Sequence, residues 1–233
     1  MIITAMNRPL ISRAPAWLLL LLLGSGCVSQ VPFDQVTRWS ESPVIKRSQT
    51  ASFPAYLLRR QGDLAAGALA ADGGDVILDG LYYYQCSPDG VVYQLPPTEA
   101  LASGWSVRFK PDRVEALEAD YSIAKLEALL AVSVPDRTLA CAFRLMGRFA
   151  SVDLASGKSL QRVSGTLFGV RLPQADGGKA GSELSLYFLS ADLLTGGRVG
   201  DFRLIDGSFA IDLCPRYLVI NTATTAAFDQ LRR

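Results

Sequence analysis

The chain has 233 residues, 23 Lys and Arg against 22 Asp and Glu, a formal charge of +1, and no histidine anywhere. So even a balance offers no electrostatic footprint for a polyanion, and nucleic acid is not an expected partner. The missing imidazole excludes Ser-His-Asp and Cys-His catalysis outright.

Residues 1–26 read as an export signal: Arg8 and Arg13 supply the positive start, and Trp17 followed by Leu18 to Leu23 supplies a short apolar core. That core is too short to span a bilayer permanently. Gly24-Ser25-Gly26 then lead directly into Cys27, which resembles the lipobox of bacterial lipoproteins, although Leu is usual where Gly24 stands. The expectation is an exported lipoprotein tied to the membrane through lipidated Cys27, on the periplasmic face, with Val28 favouring the outer membrane. Loss of residues 1–26 removes two arginines and no acid, turning the formal charge from +1 to −1. Residues 27–50, polar and carrying Pro32 and Pro43, read as a tether, and 51–233 as the folded domain. With 49% of the chain apolar, that domain can bury a sizeable core.

Phe53 to Arg60 reads as a short helix closed by Gly62. Asp75 to Leu78, Leu81 to Cys86 and Val91 to Leu95 read as strands of a meander, set off by Gly73-Gly74, Asp79-Gly80 and Pro88-Asp89-Gly90. Trp105 to Phe109 is a further strand. A helix follows in which Ile123, Leu126, Leu129 and Leu130 share a face, with Ser122 as N-cap and Pro135 as its stop. Strands are then expected at Leu139–Leu145, Phe149–Asp153, Arg162–Leu172, Leu184–Ala191, Gly200–Ile205 and Phe209–Leu213. The pattern defines a sheet-dominated α+β domain, a mixed β-sheet fold with few helices.

Few residues outside this frame point to chemistry. Beyond Cys27 stand Cys86, Cys141 and Cys214, an odd count without C-x-x-C spacing, for which one disulfide plus one buried thiol is expected. Gln174 to Ser182 is Gly-rich but lacks the strand-to-helix setting of a phosphate cradle, so it reads as a hairpin tip. Ser122 and Lys125 have S-x-x-K spacing without partner motifs and are expected simply to begin the helix. Asp72 and Asp75 read as turn residues, and Glu115 and Glu118 as a solvated helix face.

Five segments in order resemble the acetolactate decarboxylase family. They are Leu57-Leu58 with Gln61-Gly62-Asp63-Leu64 and Gly67; Val76-Ile77-Leu78-Asp79-Gly80 with Tyr83; Ser122 to Leu130 leading to Ala142-Phe143-Arg144-Leu145 and Gly147; Ser164-Gly165-Thr166-Leu167-Phe168-Gly169-Val170-Arg171; and Glu183 to Asp206. The resemblance implies the family's two-sheet fold and, in its usual members, a zinc-type site that helps convert acetolactate to acetoin and carbon dioxide.

The family's three histidine positions fall here on Ser185, Tyr187 and Arg198. Its glutamate after Asp-Gly falls on Leu81, and no glutamate follows Glu183 to supply a second. The substrate-facing arginine persists as Arg144. A divalent metal would act as the Lewis acid that absorbs electron density during decarboxylation. Neutral Ser185 and Tyr187 are weak ligands, and Arg198 repels a cation, so no metal and no cofactor are expected. Strand parity counted from Leu81 and Arg144 turns Cys86 and Cys141 away from the pocket. What remains is a candidate site of Arg144, Arg198, Tyr187 and Ser185, suited to a small carboxylate, unless Arg198 is exposed or pairs with an acid such as Asp201 or Asp206. The primary expectation is a non-catalytic binding module. A decarboxylase with a rearranged site and a structural envelope module stand as alternatives.

Overall fold

The computed structural model describes residues 32–40, 52–71, 73–118, 120–173 and 184–221. In chain order these form β1 (Gln35–Ser40), β2 (Phe53–Pro54), α1 (Tyr56–Gln61), β3 (Leu64–Leu69), β4 (Asp75–Asp79), β5 (Tyr82–Cys86), β6 (Val92–Gln94) and β7 (Ala100–Val107). There follow β8 (Arg113–Leu117), α2 (Ile123–Ser133), β9 (Ala140–Leu154), β10 (Ser159–Arg171), β11 (Leu184–Ser190), β12 (Gly196–Cys214) and β13 (Arg216–Asn221). The export signal, Cys27, much of the expected tether, Asp72 and the loop Gln174–Ser182 lie outside the described residues.

Two sheets result, as expected. The first runs β13-β1-β7-β3-β4-β5-β6, with β2 added against β7. The second runs β11-β10-β9-β12-β8, and β11 also pairs with β12, so four of its strands form a closed ring. Alternation of side chains across each strand generates three apolar layers. Leu58 of α1 packs with Phe53, Val76, Leu78 and Leu101 on the outer face of the first sheet. Val36, Ile77, Trp105, Phe168, Val170 and Tyr187 fill the space between the sheets. Phe143, Phe149, Phe188, Phe202 and Phe209 line the far side of the second sheet, covered by Leu126 and Leu130 of α2.

Several expectations change. Gln35–Ser40 is no tether: it is β1, parallel to β13 and antiparallel to β7, with Val36 and Trp39 buried on opposite faces. The stretches expected as paired short strands, 139–145 with 149–153 and 200–205 with 209–213, are the single long strands β9 and β12. Gly147 and Gly207 suggested turns, but they stand opposite each other in register, and Gly147 also faces Gly165 of β10. A Cβ on any of the three would run into backbone of the adjoining strand, so these glycines permit close strand approach. Glu115 lies in β8, not on a helix. Asp75 opens β4 instead of sitting in a turn.

The expected disulfide is absent, because all three described cysteines are buried free thiols. Leu213 faces Cys141 and Cys214 faces Ala140, so the two thiols on these neighbouring strands project to opposite sides, Cys141 behind the second sheet and Cys214 between the sheets. Ser122 is extended at the start of α2 but makes no side-chain cap, and Lys125 pairs with Asp120 at 3.0 Å.

Phe149 is fully buried and meets Phe188 and Phe202 edge-on, at 5.4 and 6.0 Å between centroids. Phe149→Ala is therefore expected to cost about 3–5 kcal/mol in denaturant unfolding. Exposed Met146, on the same strand, should tolerate Met146→Ala within about 0.5 kcal/mol.

Candidate functional site

Register brings most of the sequence-derived candidates into one line. Arg144 of β9 stands opposite Phe168 of β10, Phe168 opposite Tyr187 of β11, and Tyr187 opposite Arg198 of β12. Residues opposite in register share a face, so the row crosses four strands. Phe168 and Tyr187 belong to the layer between the sheets, which fixes the direction of the row toward the first sheet. Ser185 lies on the same side of β11, two residues from Tyr187 and opposite Val170.

The first sheet answers this row with β4. Ile77 enters the shared layer, and Asp75 and Asp79 flank it on the same face of the strand. Arg144 Nη2 donates to Asp79 Oδ1 at 2.6 Å, while its guanidinium lies 5.2 Å from the Phe109 centroid and 5.6 Å from that of Phe168. At the other end the backbone N–H of Arg198 donates to Asp75 Oδ2 at 2.9 Å. The Arg198 Nη2 donates to the Tyr187 hydroxyl at 3.3 Å, with the guanidinium carbon 5.7 Å from the ring centroid. Tyr187 is only 3% exposed and packs 6.5 Å from Trp105.

Tyr187 and Arg198 thus form one unit with Ser185 nearby. Arg144 shares their row but is held off by the Phe168 ring and committed to Asp79. The alternative partners considered for Arg198 are otherwise engaged: Asp206 pairs with Arg148, and Asp201 accepts the Phe202 N–H. A cavity of about 330 Å³ opens beside Arg198, lined also by Asp75, Cys86 and Gly197. A second, of about 350 Å³, opens beside Asp79, Thr166, Phe168 and Leu189. Neither is lined by Tyr187 or Ser185.

Cys86 therefore does not point away from this region. Strand parity counted from Leu81 failed because Leu81 belongs to the turn before β5, not to the strand. Burial, with a smaller push from Asp75, raises the Cys86 thiol to about 12, so it holds its proton and is a poor nucleophile or ligand. Burial likewise holds Cys141 at about 11 despite the opposing charge of Arg171. Burial also raises the Asp75 carboxyl above the ordinary aspartate range, partly offset by the hydrogen bond and the charge of Arg198.

Two functional-looking groups carried no distinct sequence signal. Arg171, the last residue of the Gly165-to-Arg171 segment, is 6% exposed and donates to the Leu130 and Val134 carbonyls at 3.2 and 2.8 Å. It closes the C-terminal end of α2, where a cation is favoured. Asp212 is wholly buried, accepts the Lys110 N–H at 2.9 Å through Oδ2, and leaves Oδ1 without a hydrogen bond. Burial, aided by the charges of Asp112, Asp34 and Asp63, pushes its pKa up to about 6 against the pull of the Lys110 N–H.

The fold defines a two-sheet α+β protein with its site at the joint between the sheets. The sequence profile of alpha-acetolactate decarboxylase matches residues 44–159. The chain belongs to this family. An alpha-acetolactate decarboxylase of Methanosarcina mazei is 27% identical over 186 residues, covering 71% of this chain, which spans only 64% of that relative's length. The crystal structure of alpha-acetolactate decarboxylase from Bacillus subtilis strain 168 superposes with a TM-score of 0.71 at 20% identity, over 84% of this chain and 92% of that one. A Staphylococcus aureus protein of unknown function, described as similar to alpha-acetolactate decarboxylase, gives the same TM-score at 16% identity, over 84% and 93%.

The family's metal does not fit the residues found here. At Ser185, Tyr187 and Arg198, where the motif resemblance places the family's histidines, stand a hydroxyl, a buried phenol and a guanidinium that is itself hydrogen-bonded to the phenol. A permanent cation stands where an electron-pair donor is needed.

Asp212 gives the site a pH signature. Its proton is held to about pH 6 in the fold but only to about 3.8 at its ordinary value, so the folded chain binds more protons between those limits. The contribution of this group to stability must fall as pH rises through that window, by on the order of 3 kcal/mol, and level off above it. Asp212→Asn should remove the decline and raise the melting temperature above pH 6, as read by thermal melts from pH 4 to 8.

Proposed function

We propose that this chain is a metal-free, non-decarboxylating member of the acetolactate decarboxylase family that works as an exported, lipid-anchored binding module. The observation that supports the reading most is the Arg198–Tyr187 hydrogen bond, 3.3 Å long, occupying two of the three positions from which the family's metal would be held. Without a Lewis acid the ketone oxygen that takes up the electron pair left by departing carbon dioxide carries its developing charge unassisted, and a protonated guanidinium cannot recruit a metal to it. Family membership, by itself, does not settle activity, because function resides in the site and not in the fold.

The ligand of this reading is a small carboxylate received by Arg198, whose guanidinium is oriented by Tyr187 and borders the 330 Å³ cavity. Arg144, neutralised by Asp79, serves as a strut between the sheets. The anchor of this reading is Cys27, following the small residues Gly24-Ser25-Gly26.

Purified protein is expected to contain no stoichiometric zinc and to form no acetoin from acetolactate above background, with or without added zinc. Bound zinc with turnover would overturn the reading and restore the enzymatic alternative. In a melting screen with pyruvate and lactate, Arg198→Ala should abolish ligand-induced stabilisation. Arg144→Ala should instead lower the melting temperature of the unliganded protein. Cell fractionation of Cys27→Ala should move the chain out of the membrane fraction.

A further inference from the structure

The α1 side of the first sheet carries a second site, distinct from the joint between the sheets. α1 and the turn between β4 and β5 border an open groove of about 490 Å³. Its walls are Tyr56, Arg59, Arg60, Leu81, Tyr82 and Tyr83, and neither an aspartate nor a glutamate lines it.

The local sequence explains this arrangement. Tyr56, Arg59 and Arg60 fall at i, i+3 and i+4 of α1 and so share one face, while Leu58 buries the opposite one. The Arg60 guanidinium lies 5.4 Å from the Tyr56 centroid, a cation–π contact that steadies the cation. Arg59 lies near the buried Tyr83, where its charge opposes the rise in pKa caused by burial. Neither Arg59 nor Arg60 has a carboxylate partner among the described residues. Across from them Gly80, at φ +61°, turns the chain so that Leu81 and Tyr82 stand 59% and 55% exposed.

Placement in the last turn of α1 accounts for two cations through the helix dipole. It does not account for an acid-free groove in which those cations face a tyrosine and a leucine held out in water. Paired guanidinium donors match the oxygens of a carboxylate or phosphate, and exposed aromatic and apolar walls match the flat face of a ring. The volume is that of a small-molecule site. We propose that this groove binds a small oxyanion carried on a planar ring, with Arg59 and Arg60 holding the anionic group and Tyr56, Leu81 and Tyr82 flanking the ring. This also gives position 81 a use unrelated to the family's missing glutamate.

The test uses the full-length chain in mild detergent, titrated calorimetrically with phenyl phosphate, benzoate and inorganic phosphate. At least one ring-bearing anion should saturate below millimolar concentration and bind about tenfold or more tighter than inorganic phosphate. Comparison of phenyl phosphate with benzoate identifies the preferred anionic group. Arg59→Gln and Arg60→Gln, both at exposed positions, should each weaken that binding about tenfold with an unchanged circular dichroism spectrum. Tyr82→Ala should weaken the ring-bearing anion while sparing inorganic phosphate. Arg198→Ala should leave the binding intact, which separates this groove from the site proposed above. The assignment is overturned if neither ring-bearing anion saturates, if inorganic phosphate binds as tightly, if binding survives both arginine substitutions, or if Arg198→Ala alone removes it.

Discussion

β4 is the strand on which the two sheets are fastened. Its inner face presents Asp75, Ile77 and Asp79, an apolar side chain between two carboxylates, to a second sheet that would otherwise offer them only hydrocarbon. Carboxylates at such a joint are tolerable only if each finds a donor. Asp79 finds the Arg144 guanidinium, and Asp75 finds the backbone N–H of Arg198. The two fastenings differ in kind: the first specifies an arginine, whereas the second is made by main chain and does not itself specify the side chain at 198. The backbone could therefore be kept while the chemistry at that position changed.

Between the sheets, these positions form a packed layer. Tyr187 fills space against Trp105, and Arg198 reaches its hydroxyl from the next strand. The Cys86 thiol in this layer is equally quiet, since burial keeps it protonated far above neutral pH. Arg144 is accounted for structurally by its ion pair with Asp79 across the two sheets.

The general architecture was legible from alternation and turn residues, as a sheet-dominated domain with few helices and α2 with its apolar face at Leu126 and Leu130, while the division into two sheets followed from the family resemblance. Less legible was anything set by pairing at long range. β1 carries only two strongly apolar side chains in a polar segment, and its strand character comes from β7 and β13 on either side. Gly147 and Gly207 carry the composition of turns, yet serve as close-contact points inside β9 and β12, a role visible only once the strands are placed together. In the site, the identities of Ser185, Tyr187 and Arg198 followed from motif alignment, and their adjacency from register. The ion pair that claims Arg144 could not be read, because Asp79 is 65 positions away and lies on the other sheet. Cys86 was misplaced for a simpler reason: counting faces along a strand works only from a residue inside that strand.

The glycines at 165, 147 and 207 line up across three neighbouring strands, where backbone leaves no room even for a methyl group. Their line crosses the ring that β9, β10, β11 and β12 close. In a saturation-mutagenesis map of this chain, the deepest intolerance should accordingly run through this bare stripe, because there every side chain larger than hydrogen meets main chain that cannot step aside.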